Sequence, residues 1–286
     1  MKSRKLFIFT FVVAVAFIAA NTIGFAQNPA CNTVVVTEDN VTRQAENTPP
    51  TDNWVLYTRA GTPATAGQFV TGPGQPPLGV GSFQTITATG SEKVFLFNYD
   101  HIGTRLADIT KLSYSTYRTA GAGNQLPALN LEIDFNGPEV AGGFSTLVFE
   151  PVYNLDQQAV ANDTWQSWDA FGNGIWWSTR PINGQCAGAT STCDKTWTEI
   201  VQNNPDATIL GGYGINQGSG NGGLNANTDA LAIGTDASCV VYNFDPYRVA
   251  TNRDDCKNGG YKIVRDADGN EFKNQGQCVS YVSSGK

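Results

Sequence analysis

The chain has 286 residues, a formal net charge of −7 and only 15% charged residues. It therefore lacks the basic surface that binding to nucleic acid or anionic lipid requires, and the composition argues against both as partners. The 31 glycines, the 11% aromatic residues, the single His and the single Met instead favour a loop-rich β-sandwich.

Residues 1–26 are predicted to be a secretory signal peptide. Three basic residues within the first five positions precede an apolar or small-residue run over positions 6–20, and small residues at positions 24 and 26 suit signal peptidase. This run is shorter than the about 20 residues that a membrane-spanning helix needs. We expect cleavage after Ala26, which removes three positive charges and lowers the formal net charge from −7 to −10. The mature protein is then secreted or held at the cell surface, with no membrane span.

The next segments are predicted to be irregular. A short apolar run at Val34–Val36 is typical of an edge strand, and Cys31 just before it is expected to tie this segment to the body of the protein. Residues 61–81 are rich in Gly, Pro and Thr, which predicts a long surface loop.

A series of short apolar runs separated by turn residues then predicts many strands. The runs are Lys93–Asn98, Leu112–Arg118, Ala128–Phe135, Phe144–Tyr153, Thr164–Ala170, Ile175–Thr179, Thr208–Ile215, Asp229–Ile233 and Cys239–Phe244. Such a series indicates an all-β fold, and we predict a two-sheet jelly-roll sandwich over residues 27–248. Thr196 followed by Glu199 is a capping-box signature, which predicts one short helix that ends before Pro205.

The strand over Leu129–Phe135 has the clearest two-residue period. Its apolar side chains are expected to point inward, so that Asn130, Glu132 and Asp134 share the opposite face. An outer sheet face of this kind is a candidate ligand surface, although a solvated polar face is the simpler interpretation.

Four of the six tryptophans lie within 13 residues of one another, at Trp165, Trp168, Trp176 and Trp177. Indole rings stack on extended ligands such as sugars, and Arg180 nearby is suited to orienting a ligand. The alternative is that the indoles pack in the core, and we expect about two of the four to be buried. Trp176 and Trp177 must point to opposite faces if they lie on a strand.

The tetrapeptide Glu132–Phe135 resembles the start of the catalytic strand of laminarinase-like glycoside hydrolases. The resemblance implies a nucleophile at Glu132 and an assisting acid at Asp134. The position of the third carboxylate is occupied by Asn136, so the match is partial, and Glu150 is the remaining candidate for an acid.

Oxygen ligands near strand ends raise the possibility of bound Ca²⁺, which would be the only cofactor. Asp134, Asn136 and Asp229, with Asp236 beyond them, are the candidate ligands. Residues 266–271 look superficially like a calcium loop but are better interpreted as a hairpin turn, because the other donors of the pattern are missing. The glycine-rich segments 211–214 and 218–223 are interpreted as mobile β loops.

Six cysteines in an exported chain favour three disulfides. Many pairings are possible, and the spacing favours Cys186 with Cys193 and Cys256 with Cys278, which leaves Cys31 for Cys239. Paired CxxC motifs are missing, which argues against a zinc site. The pair Cys256–Cys278 would close a C-terminal unit over residues 249–286, in which Asp-Gly at positions 268 and 269 predicts a hairpin.

Taken together, several segments resemble those of bacterial exported concanavalin-like or laminin-G-like sandwiches. They are Leu112–Arg118, Leu131–Asp134, Thr146–Pro151, Trp165–Ala170, Asp229–Gly234 and Tyr242–Phe244. The tail segments Cys256–Gly260 and Phe272–Tyr281 are similar to a short cysteine-bounded tail of bacterial secreted proteins.

The resemblance implies a ligand-binding sandwich, commonly for glycans and with calcium in some relatives. We therefore expect a non-catalytic extracellular binding or adhesion module for a glycan or another cell-surface ligand. The alternatives are a polysaccharide-cleaving hydrolase or lyase on the same fold, and a structural surface or matrix protein.

Overall fold

The computed structural model describes residues 30–285, so the predicted signal peptide lies outside the described residues. None of the helices within residues 30–285 combines the length and the apolar content needed to cross a bilayer. Most of the regular structure is β, and the strands form two large sheets. The prediction of an all-β, two-sheet fold is confirmed.

The strands in chain order are β1 (Asn32–Val36), β2 (Thr42–Ala45), β3 (Trp54–Thr58), β4 (Gly67–Thr71), β5 (Gly81–Thr87), β6 (Lys93–Asn98), β7 (Ile109–Ala120), β8 (Ala128–Asp134), β9 (Phe144–Phe149), β10 (Trp165–Asp169), β11 (Ile175–Ser178), β12 (Lys195–Thr196), β13 (Thr208–Gly218), β14 (Leu224–Thr235), β15 (Cys239–Phe244), β16 (Arg248–Val249) and β17 (Val264–Arg265). The α-helices are α1 (Trp197–Asn203), α2 (Arg253–Cys256) and α3 (Gln275–Ser284).

Sheet 1 has seven strands and is built around β14. One edge of β14 pairs with β7, which in turn pairs with β10. The other edge pairs with β5 along its first half and with β15 along its second half. Strands β4 and β1 complete the sheet beside β5 and β15.

Sheet 2 has eight strands in the order β12-β11-β9-β8-β13-β6-β3-β2. All of its pairs are antiparallel except that of β2 with β3. One main apolar core includes side chains from both sheets, among them Tyr114 and Phe244 of sheet 1 and Leu131 and Phe149 of sheet 2. The outer face of sheet 2 carries a separate aromatic cluster, which is described below.

Each predicted strand is present, and β1 is an edge strand as expected. Strands β2 to β5 were not predicted. In β3 both faces are buried, which removes the alternation that marks a strand. Strand β4 lies inside residues 61–81, so the prediction of a continuous surface loop there is wrong.

Helix α1 begins as its capping box predicts. The Thr196 hydroxyl accepts a hydrogen bond from the Glu199 amide at 3.2 Å, and the Glu199 carboxylate accepts one from the Thr196 amide at 2.9 Å. All three predicted disulfides, Cys31–Cys239, Cys186–Cys193 and Cys256–Cys278, are also present. Three disulfides indicate an oxidising compartment.

The C-terminal unit is disulfide-closed as predicted, but it is largely helical rather than a hairpin. Only the bridge between Arg265 and Glu271 flanks the predicted turn, and α2 and α3 fill the rest. Asn274 caps α3 by accepting a hydrogen bond from the Gln277 amide at 2.9 Å. Residues 30–285 therefore contain three α-helices where one was predicted, because capping and a small local core override the weak strand signal of this tail.

The two adjacent tryptophans of β11 allow a test of which sheet face is the core. Trp176 is fully buried and donates to the Ala170 carbonyl at 2.8 Å, whereas Trp177 is only partly buried on the opposite face. We expect Trp176→Ala to lower the free energy of unfolding by about 3–5 kcal/mol. The matched variant Trp177→Ala should lose less than half of that. Urea unfolding of the oxidised protein measures both, and equal losses would contradict this orientation of β11.

Candidate functional site

The outer face of sheet 2 carries a groove of about 620 Å³. We call it the sheet-2 groove. It is lined by Glu46, Asn47, Thr48, Pro49, Pro50, Tyr57, Lys93, Phe95, Phe97, Tyr99, Ile102, Asn130, Glu132, Phe144, Thr146, Thr179, Leu210 and Gly211. These residues lie on or beside most strands of the sheet, so the groove crosses the strands rather than running along one of them.

Strand register explains why these side chains share one face. Asn130 of β8 lies opposite Val148 of β9 on one side and Gly214 of β13 on the other. Gly214 in turn lies opposite Phe97 of β6. Because directly opposed residues of antiparallel neighbours project to the same face, Asn130 and Phe97 both point away from the core.

Glycines in β13 leave the middle of this face without side chains, which makes room for the groove. A side chain at Gly212 would begin 2.3 Å from the ring of Phe97, and one at Gly214 would begin 2.0 Å from the Leu96 carbonyl oxygen. Neither position has room for a β-carbon, so only glycine lets the Phe97 ring lie against the β13 backbone. The prediction that residues 211–214 form a mobile loop is wrong, since they belong to β13.

Four aromatic side chains on β3, on β6 and just after β6 form one wall of the sheet-2 groove, and we call them the aromatic wall: Tyr57, Phe95, Phe97 and Tyr99. The rings of Phe95 and Phe97 lie 5.2 Å apart, and Tyr57 meets Phe97 edge-on at 6.4 Å. The hydroxyl oxygens of Tyr57 and Tyr99 are 3.0 Å apart, in hydrogen-bonding contact. Tyr57, Phe95 and Phe97 are largely buried, so the accessible part of the wall is mainly Tyr99 and the edges of the other three rings.

Glu132 faces the groove from β8. A bulge in β13 places residues 210–212 opposite it, and the Gly212 amide donates a 2.6 Å hydrogen bond to its Oε2. Its Oε1 has no hydrogen-bond partner among the described residues, yet it is not sealed from solvent. Burial raises the pKa of this carboxyl, and the Gly212 hydrogen bond opposes the rise.

Asn130 contributes a second unpaired polar group to the groove. The residue is only 5% exposed, and its side-chain Oδ1 lacks a hydrogen-bond donor among the described residues. Eight other buried side-chain polar atoms among the described residues also lack a partner, so this feature alone does not mark a site. Asn130 differs from those eight residues because it lines the sheet-2 groove.

At one end of the groove, two basic residues share one acid, Glu46. The Lys93 ammonium lies 3.7 Å from Glu46 and 4.1 Å from the centre of the Phe95 ring. Glu46 also binds Arg59 at 2.7 Å, and this hydrogen bond lowers the pKa of Glu46. Burial lowers the pKa of Lys93.

Asp134 does not join Glu132 in the groove. Its side chain is 7% exposed, it accepts a hydrogen bond from the Asn136 amide at 3.0 Å, and the backbone of Gly143 covers it. The expectation that Asn130, Glu132 and Asp134 all face open water is therefore wrong. Two of the three line a groove, and the third is enclosed by the β8–β9 connection.

Glu150 is too far along the sheet to act with Glu132. It follows Phe149, which pairs with Leu129, so it lies beside Ala128, four residues from Glu132 and about 13 Å away along β8. Glycoside hydrolases hold their two carboxyls roughly 5–9.5 Å apart. Glu150 instead accepts a hydrogen bond from the Trp177 indole at 2.9 Å, and burial raises its pKa.

The tryptophan cluster divides between the two sheets. Trp168 and Trp176 are buried in the core, so the prediction that they bind ligand is wrong, while the expectation of about two buried indoles is confirmed. Trp165 belongs to sheet 1, where it donates to the Pro73 carbonyl at 2.9 Å. Trp177 is on the outer face of sheet 2, outside the groove lining. Arg180 lies over the Phe144 ring at 4.9 Å, at the rim of the groove.

The predicted calcium ligands are not brought together. Asp229 is fully buried in β14 of sheet 1, where its carboxylate accepts hydrogen bonds from the Leu78 and Phe244 amides at 2.9 and 3.0 Å. Asp134 and Asn136 lie at the end of β8 in sheet 2, and Asp236 follows β14. Within residues 30–285, no three acidic, His or Cys side chains are grouped to hold a metal ion.

Comparisons with protein-family models, with curated proteins and with solved structures found no match. The resemblance to concanavalin-like sandwiches thus remains a prediction. A function has to be argued from the sheet-2 groove itself.

The sequence reasoning missed the aromatic wall. In Lys93–Asn98, Phe95 and Phe97 alternate with the core residues Val94 and Leu96, so all four positions are apolar. A strand that is apolar on both faces normally indicates burial between layers. The available signal was that both positions of β6 facing away from the core, Phe95 and Phe97, are aromatic.

Buried carboxyls predict how stability depends on pH. Burial raises the pKa of Asp229 to about 7, above the roughly 3.9 of an unfolded Asp, so the folded state binds more protons between these values. Its contribution to stability is therefore complete below about pH 4 and is lost as pH rises through about 7. The raised pKa values of Glu132, Glu150 and Asp245 act in the same direction.

We expect the free energy of unfolding to fall between about pH 5 and about pH 8, and to fall less in Asp229→Asn. Urea unfolding at both pH values measures the difference. Asp236→Asn, at an exposed position just after β14, is the matched control and should follow the wild type. An unchanged pH dependence in Asp229→Asn would contradict the burial argument.

Proposed function

We propose that the protein is an extracellular glycan-binding module and that the sheet-2 groove is its binding site. The observation that carries this proposal is the arrangement of the aromatic wall opposite the unpaired polar groups of Asn130 and Glu132. Sugar rings have apolar C–H faces that pack on aromatic rings, and hydroxyl groups that donate to carbonyl and carboxylate oxygens. The groove offers both kinds of contact side by side.

The direction of the groove favours an extended ligand. Its lining runs from Thr179, just after β11, to Tyr57 of β3. Six neighbouring strands span this interval, which corresponds to about 24 Å at the usual strand spacing. A linear oligosaccharide of several sugar rings fits this length better than a single sugar does.

Secretion is part of this proposal. The three disulfides support it because such bonds persist in oxidising compartments, where extracellular polysaccharides are also found. The predicted signal peptide is consistent with export.

Carboxylate spacing favours binding over cleavage. Among the residues that line the groove, the acids are Glu46 and Glu132. The Glu46 carboxylate is held by Arg59 and Lys93 at one end of the groove, away from Glu132 on β8. Asp134 is enclosed and Glu150 lies outside the lining, which leaves Glu132 without a second carboxyl at hydrolase distance.

Asn130→Ala tests the site, because the free protein gives the Oδ1 of this residue no partner. Removing an unpaired buried amide should leave the free energy of unfolding nearly unchanged or slightly higher. If the amide serves a ligand, the same change should weaken oligosaccharide binding by about tenfold. Titration calorimetry against a panel of linear oligosaccharides, paired with thermal unfolding, measures both effects.

Tyr99→Ala removes part of the aromatic wall and should also weaken binding by about tenfold. Glu139→Gln, an exposed side chain in the β8–β9 connection, is the control and should bind as the wild type does. Absence of binding to every oligosaccharide in the panel would refute the proposal. Release of new reducing ends, abolished by Glu132→Gln, would favour the hydrolase alternative instead.

A further inference from the structure

We propose that the sheet-2 groove selects glycans that carry a free, positively charged amino group, and that Glu132 and the aromatic wall recognise that group. This inference rests on the proposed function and names the class of glycan. Its basis is an unpaired carboxylate among aromatic side chains in an otherwise uncharged part of the groove.

Glu132 has no cationic partner in the described part of the chain. The ion pairs there are Arg43–Glu38, Arg59–Glu46, Lys93–Glu46, Arg248–Asp255, Lys257–Asp254 and Arg265–Glu271. The carboxylate of Glu132 instead receives one hydrogen bond, from the Gly212 amide, and keeps Oε1 open to the groove. A partly desolvated carboxylate is stabilised most by a cation, which the ligand would supply.

The aromatic wall completes an environment suited to an ammonium group. Tyr57 and Tyr99 line the same groove as Glu132, and burial, with a smaller contribution from the negative charge of Glu132, raises the pKa of both phenols. The phenols stay neutral, and the partly exposed ring of Tyr99 is the one that a cation in the groove can contact. Aromatic faces beside a carboxylate are a recurrent way of binding ammonium groups.

Basic residues near the groove include Lys93 in its lining and Arg180 at its rim, and neither forms an ion pair with Glu132. Lys93 is the one basic residue in the lining, and it is paired with Glu46 at 3.7 Å. It lies at the β6 end beside Phe95, whereas Glu132 lies on β8. The acidic chain as a whole, with a formal net charge of −7, also favours the approach of cationic ligands.

Selectivity depends on whether the bound ligand supplies a positive charge to the Glu132 carboxylate. A protonated amino sugar places its charge against Oε1 of Glu132, so the carboxylate is compensated. An N-acetylated sugar of the same length fills the groove but provides no charge. A site built around a charged group discriminates strongly against a ligand that lacks the matching partner.

The experiment compares glucosamine oligosaccharides with their N-acetylated counterparts of equal length, titrated into the full chain at mildly acidic pH. We expect the wild type to bind the free-amine series at least about tenfold more tightly. Glu132→Gln keeps an oxygen for the Gly212 amide, so it should remove this preference and leave the affinity for the N-acetylated series within about twofold. Glu139→Gln makes the same charge change outside the groove and should retain the preference.

Raising the salt concentration separates recognition from general attraction, because screening weakens long-range attraction more than contact with a partly buried carboxylate. The preference should persist at high salt. Equal affinities for the two series in the wild type would overturn the inference, and this comparison does not depend on any variant folding. A preference unaffected by Glu132→Gln would overturn it as well.

The failure of this inference is distinguishable from that of the proposed function. If both series bind equally and Tyr99→Ala weakens both, the groove binds glycans without selecting amines, and only the inference fails. If neither series nor any neutral oligosaccharide binds, both proposals fail. A lysine-rich peptide that binds more tightly than the amino sugars, with the same dependence on Glu132, would show a peptide ligand and overturn the glycan assignment.

Discussion

The close approach of the Phe97 ring to the backbone of β13 is the contact on which the site depends. It is possible because Gly212 and Gly214 carry no side chains at positions where a β-carbon would collide with β6. The ring lies close to the backbone of the sheet. It forms the floor of the groove, and the space above it is open. Larger residues at these positions would fill the middle of the outer face, and the polar side chains of β8 would then be separated from the aromatic side chains of β6.

The core stabilises the fold, whereas a polar group in the groove reduces its stability. The main core between the sheets, in which Trp168 and Trp176 are packed, provides the hydrophobic stabilisation of the fold. On the outer face, Asn130 and Glu132 hold polar atoms that the chain itself leaves unpaired. The buried oxygen of Asn130 lowers stability, and the fold tolerates it because the core and the disulfides supply a surplus, whereas the second oxygen of Glu132 stays open to solvent.

The sequence predicted the strands well where only one face is buried or where turn residues mark the ends. Leu129–Phe135 alternates clearly and corresponds to β8, and β6 was predicted as a short apolar run bounded by turn residues although both of its faces are apolar, whereas β3 was missed. The tail was predicted as a hairpin from its Asp-Gly turn, yet helix capping at Asn274 determined its structure. A strand pattern in the sequence indicates which face of the strand is buried. It does not indicate which other segments pack against that strand or whether a helix forms instead, because both depend on tertiary contacts.

The sequence alone predicted four features: export, three disulfide pairs, a two-sheet β fold and the shared face of Asn130 and Glu132. These predictions were possible because residue spacing and a two-residue period depend only on neighbours along the chain. The disulfides, the fold and the shared face are present in the structure. Which indoles are buried, the enclosure of Asp134 and the meeting of Phe97 with β13 depend on residues distant in sequence. Only the tertiary structure decides these, since strand order and register determine which side chains share a space.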